Sequence, residues 1–106
     1  MAEKEYTFSL TIHDRMRRRH WIERGKVRAF VVQYEMLLDD DWVPVVRFDT
    51  AHGFAHLDVL HPDGTATKTR LPGMSFREAY TFAQRELNRE WPTHRERFLR
   101  EKEEWK

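Results

Sequence analysis

Cysteine is absent from the 106 residues, glycine and proline contribute four each, and no run approaches 18 apolar residues. Without thiols there is no disulfide framework, no thiolate nucleophile and no cysteine zinc site, and the chain reads as a cytoplasmic protein. The lack of a long apolar run argues against a membrane-spanning helix, and no signal-like apolar stretch follows Met1-Ala2-Glu3-Lys4-Glu5. An excess of one charge is missing too. Nineteen basic against 18 acidic side chains leave +1, so the overall balance points to neither nucleic acid nor an acidic membrane. No repeat, low-complexity tract or linker divides the chain, which reads as one domain over residues 1–106.

What is present is aromatic and strongly patterned. Seven Phe, three Tyr and four Trp are too many for a chain meant to stay disordered. Tyr6, Phe8, Leu10 and Ile12 alternate with polar residues, as a half-buried strand requires. Residues 13–26 admit either a basic helix or a strand turning at Arg24-Gly25, and the β-rich Arg28–Leu38 that follows favours the strand. Asp39-Asp40-Asp41, Thr50-Ala51-His52-Gly53 and Pro62-Asp63-Gly64 punctuate further strands at Trp42–Asp49, Phe54–His61 and Thr65–Leu71. Short strands joined by tight turns form an antiparallel meander, because parallel neighbours need long crossovers. Pro44 has no N–H for a ladder and predicts a bulge or an unpaired side.

Ser75-Phe76-Arg77-Glu78 is a capping box, and Phe76, Tyr80, Ala83 and Leu87 follow it as one helical stripe. Trp91-Pro92 interrupts that stripe, and Thr93-His94-Arg95-Glu96 reads as a second box opening a second helix with Phe98, Leu99 and Trp105. The expected fold is α+β: an antiparallel meander of four to six strands over residues 5–71, with one or two C-terminal helices over 75–105 packed on one face.

Strand alternation then sorts the side chains. With four residues in the Thr50–Gly53 turn, Trp42, Pro44, Val46, Phe48, Ala55, Leu57 and Val59 fall on one face with Phe30, Val32 and Tyr34. The other face collects Gln33, Glu35, Arg47, Asp49, His56 and Asp58, with Arg47 across from His56 and His52 at the turn. His52 and His56 are suited to act as base and acid in attack of a ribose 2′-hydroxyl on its phosphate. Arg47 would hold the phosphate, and Asp49 or Asp58 would fix a histidine tautomer. The same residues read structurally as a charge network that pins the register. A third chemistry is His52-x3-His56-x-Asp58 with Asp49 as ligands for zinc, manganese or iron. On an extended strand an i, i+4 pair is about 13 Å apart, so only the turn could bring both histidines together. No metal or cofactor is therefore assigned, and His61, on the other face by parity, is read as structural.

A second feature is the basic segment Arg15, Arg17, Arg18 and Arg19 with Trp21. Residues 14–28 hold seven basic and two acidic side chains, whereas residues 35–63 hold seven acidic side chains and one Arg. Arginines beside an aromatic residue can track a phosphate backbone and stack on a base. The plainer reading is that they neutralise the acidic turns, within the chain or across a homodimer joined through Phe98 and Trp105.

The stretch Arg47-Phe48-Asp49-Thr50-Ala51-His52-Gly53-Phe54-Ala55-His56-Leu57-Asp58, with Phe30–Glu35 before it and Lys68 after, resembles an uncharacterised family of short prokaryotic proteins, a domain of unknown function. That resemblance covers most of residues 26–100 and implies no established activity. Within it, Arg47, Asp49, His52, Gly53 and His56 are similar to a segment of TumE-like toxins of bacterial toxin–antitoxin pairs. The likeness implies a toxin-type ribonuclease with RNA as substrate, a cognate antitoxin as partner, and Arg47, Asp49, His52 and His56 as its site. The alternative is a non-catalytic dimeric module that binds nucleic acid or protein through Arg15–Arg19, with no membrane role in either case.

Overall fold

Alternating apolar residues and two-residue turns set the architecture, which a computed structural model describes for residues 2–105. Six strands, β1 (Ala2–Thr11), β2 (Asp14–Glu23), β3 (Lys26–Leu38), β4 (Asp41–Asp49), β5 (His56–Leu60) and β6 (Ala66–Arg70), lie side by side in chain order. Every neighbouring pair is antiparallel, so the sheet is the expected meander at its upper strand count. Within residues 13–26, Asp14–Glu23 is strand rather than helix. Arg24 and Gly25 take φ of 50° and 74°, the left-handed pair that a tight hairpin needs, and Asp39-Asp40 turns β3 into β4 in the same way at 48° and 67°.

One helix, α1 (Phe76–Glu104), covers the central strands on one face. Ser75 accepts from the Glu78 amide and Glu78 accepts from the Ser75 amide, both at 3.1 Å, so the first capping box is real. The second is not. Thr93 and Glu96 lie inside a single 29-residue helix that runs through Pro92. The missing proline donor costs about 3 kcal/mol. Past it, however, Phe98 is buried, and just before it Trp91 packs on Tyr34 with ring centroids 5.6 Å apart. Burying such side chains is worth about 1.5–3 kcal/mol each, enough to offset the lost bond.

The core lies between α1 and β3–β4. Phe30, Val32, Tyr34, Met36, Val46 and Phe48 meet Ala79, Tyr80, Ala83 and Leu87, all nearly inaccessible to solvent. The alanines let the helix come close, and Phe30 stacks on Tyr80 at 5.1 Å. The register shifts in three of the ladders, and the shift between β3 and β4 is the bulge that Pro44 foretold. Tyr34 pairs with Val46 and Glu35 with Pro44, so Val45 is the extra residue. Val45 and Val46 are both fully buried, and the parity of everything before them is reversed. Trp42 and Pro44 therefore do not share the helix face with Phe30. They pair with Leu37 and Glu35, and the Trp42 ring lies 4.2 Å beneath the Arg15 guanidinium carbon on the opposite face. Among the described residues, no helix is long and apolar enough to cross a membrane.

Candidate functional site

The sheet face away from α1 is open, and its polar residues fall into two rows across β4, β5 and β6. Asp49 pairs with His56 and His56 with Arg70; Arg47 pairs with Asp58 and Asp58 with Lys68. Arg47 thus stands across from Asp58, not from His56. The connection from Asp49 to His56 consumes Thr50–Ala55 rather than four residues. A shift of two residues leaves every side chain on its expected face and changes only its lateral partner.

His56, Asp49 and Asp58 form a buried group, exposed by 3%, 7% and 3%. His56 Nε2 lies 2.8 Å from Asp49 Oδ1 and 3.5 Å from Asp58 Oδ2, while Nδ1 lies 3.3 Å from the Phe54 carbonyl oxygen. Asp49 Oδ1 also accepts from the Ala51 amide at 3.0 Å, and Lys68 Nζ donates to Asp58 Oδ1 at 3.1 Å. His52 is exposed on the turn at φ 73°, its ring centroid 6.1 Å from that of His56. Thr50 fixes this turn to β3, its Oγ1 accepting from the Phe30 amide at 3.0 Å.

The cations flanking the group are of two kinds. Arg47 Nε donates to Gln33 Oε1 at 2.7 Å, and the Arg70 guanidinium carbon lies 4.4 Å over the Phe54 ring. Neither meets a carboxylate among the described residues. On β2 the arginines are divided between the faces. Arg18 lies on the helix side, donating to Gln84, with its guanidinium carbon 4.9 Å and 4.8 Å over Tyr6 and Phe8. Arg15, Arg17 and Arg19 share the open face with Trp21. Arg15 meets Glu35 at 2.6 Å, Arg17 meets Glu5 at 2.7 Å and Glu35 at 3.5 Å, and Arg19 meets Glu3 at 3.1 Å. The Arg17 hydrogen bond holds the Glu5 carboxyl below its ordinary range. These glutamates, not the Asp39–Asp41 turn, neutralise the basic strand. A depression of about 260 Å³ lined by Arg17, Arg19, Gln33, Arg47 and Asp49 joins the two regions.

A model of the DUF7718 domain of unknown function matches residues 1–104. The chain belongs to the DUF7718 family. No curated protein and no solved structure matches it. The expectation of an uncharacterised family is thereby met, and the function of that family is unknown.

In this DUF7718 chain both ring nitrogens of His56 face hydrogen-bond acceptors. A neutral imidazole carries one N–H and can satisfy only one side. His56 is buried among these acceptors, whereas His52 is open to solvent. Arg70 and Phe54 were not singled out from the sequence. The only signal for them is the pairing of β5 with β6, which places Arg70 beside His56. His61 lies on the helix side as parity required, with Glu101 at 2.9 Å and Thr67 at 2.7 Å.

Proposed function

We propose that the open sheet face binds single-stranded RNA and that the β4–β5 corner cleaves it, as a small toxin-type ribonuclease of prokaryotic, cytoplasmic kind held in check by an antitoxin. The observation that carries this reading is the pair Arg47 and Arg70, cations without a carboxylate partner among the described residues, beside the exposed His52. Guanidinium groups grip a phosphate through two donors at once, and bases stack on Phe54, Trp21 or the arginine planes. His52 takes the proton of a ribose 2′-hydroxyl, whose oxygen attacks phosphorus. The bond from phosphorus to the 5′ oxygen breaks, and that oxygen leaves with a proton from water. Arg47 and Arg70 offset the charge that gathers on the phosphoryl oxygens. His56, buried between Asp49 and Asp58, holds the corner in shape. The likeness of Arg47, Asp49, His52, Gly53 and His56 to the toxin segment adds support.

The test is a labelled single-stranded RNA incubated with wild type and His52→Ala. Cleavage to 2′,3′-cyclic phosphate ends should fall about 100-fold or more in the variant, with binding retained. Equal cleavage by folded His52→Ala, or no RNA binding by the wild type, rejects the reading. The alternative, a non-catalytic dimeric module acting through Arg15–Arg19 and Trp21, draws less support. Three of those arginines already meet a glutamate, and Arg18 lies on the opposite face.

A further inference from the structure

We infer that Asp49, His56 and Asp58 form a binding site for one divalent transition-metal ion, manganese or zinc. The inference is independent of any action on RNA. It starts from the proton inventory of His56. The Phe54 carbonyl at Nδ1 can only accept, so a ring proton placed there is satisfied by the backbone. A backbone carbonyl in this position is what orients a metal-binding imidazole and leaves its Nε2 lone pair free. That lone pair points at Asp49 Oδ1 and Asp58 Oδ2, neither of which has a proton to offer as carboxylate. Three potential ligand atoms, all within 4.8 Å of one another and on buried residues, converge there, and with the ring proton on Nδ1 no hydrogen lies between them. A cation at their centre resolves that conflict.

The spacing agrees. Ligand atoms about 2.1 Å from a metal are separated by about 3.0 Å in an octahedral shell and 3.4 Å in a tetrahedral one. Nε2 lies 2.8 Å and 3.5 Å from the two carboxylate oxygens, so little movement is required. The outer atoms are also arranged for ligation. Lys68 holds Asp58 Oδ1, leaving Oδ2 for the ion, and the Ala51 amide steadies Asp49. The set is rigid because Asp49 and His56 are cross-strand partners and Asp58 lies two residues on along the same face of β5. Two carboxylate oxygens and one imidazole suit manganese and zinc, and three protein ligands leave room for water or a phosphoryl oxygen.

The competing account is that a ring proton on Nε2, not a metal, bridges His56 to the aspartates. Titration calorimetry of the full chain, stripped with chelator, with manganese and separately with zinc, separates the two. One ion per chain should bind, and Asp58→Asn, which keeps the side-chain volume, should weaken binding at least tenfold. Asp49→Asn should do the same, and circular dichroism confirms that each variant folds. Manganese added to wild type should also broaden the proton resonances of His56 and Phe54 before those of His20 or His94. No binding of either ion at millimolar concentration overturns the site. Binding that both folded variants retain unchanged, or broadening centred elsewhere, overturns it equally.

Discussion

At the β1–β3 end of the open face, the three arginines that β2 places there each meet a glutamate: Arg15 and Arg17 share the buried Glu35, and Arg19 reaches Glu3. At the β4–β6 end, Arg47 meets the Gln33 amide oxygen and Arg70 an aromatic ring, while the carboxylates beside them are turned toward His56 and Lys68. The arginine-rich strand looked the more suggestive of nucleic acid in the sequence, yet its charges are already matched within the chain. Density of charge along a strand does not tell whether that charge is left without an opposite.

The largest effect should come from breaking the buried group. Asp49→Ala removes the 2.8 Å partner of His56 and leaves its Nε2 facing Asp58 alone. Urea unfolding should show a loss of about 3 kcal/mol. Next is the opposite end. Glu35 is buried and receives Arg15, Arg17 and Gln33, so Glu35→Gln should cost about 2 kcal/mol. The same change frees Arg15 and leaves Arg17 with Glu5 alone, and RNA affinity measured in a folded Glu35→Gln protein should rise several-fold. A fall would show that pairing is not what silences β2. A finer contrast is Arg70→Ala against Arg19→Ala. Both should leave stability within about 0.5 kcal/mol. RNA binding should drop about tenfold for Arg70→Ala, roughly the 1.4 kcal/mol of one charge-assisted phosphate contact, and hardly at all for Arg19→Ala.

The smallest effect is on pH dependence. Burial, with Arg18 and Lys4 nearby, lowers the pKa of His20, and burial with Arg97 lowers that of His94 against Glu86 and Glu90. A base whose folded value is depressed binds fewer protons folded than unfolded. It costs nothing above the ordinary value of 6.5 and costs progressively more as pH falls below it. The thermal midpoint should therefore decline between pH 7.5 and 5.5, and His94→Gln should flatten part of that decline.

Much of the fold was legible because it is locally encoded. Alternation marks β3, Arg24-Gly25 marks its hairpin, and the Ser75–Glu78 box marks the start of α1. What misled were places where distant packing overrules a local signal. Pro92 reads as a stop, but Phe98 and Trp91 find the sheet and carry the helix through. Trp42 reads as core until the extra Val45 turns it over. The faces of Arg47, Asp49, His56 and Asp58 were readable, since alternation survives a two-residue slip. Their lateral partners were not, because the length of the Thr50–Ala55 connection is a three-dimensional fact. Arg70 was invisible for the same reason.

The order of strands has a consequence for how the molecule is made. Each strand hydrogen-bonds to the one before it in the chain, so the sheet can zip together hairpin by hairpin as it leaves the ribosome. Its apolar face stays bare all that while, because the residues that cover Phe30, Tyr34 and Phe48 come last, in Phe76–Glu104. A chain halted before Leu87 would hold a finished sheet with nothing over its greasy side, a species primed to stick to its siblings, and the lifetime of that exposed state rather than the pairing of strands would set the yield of native protein.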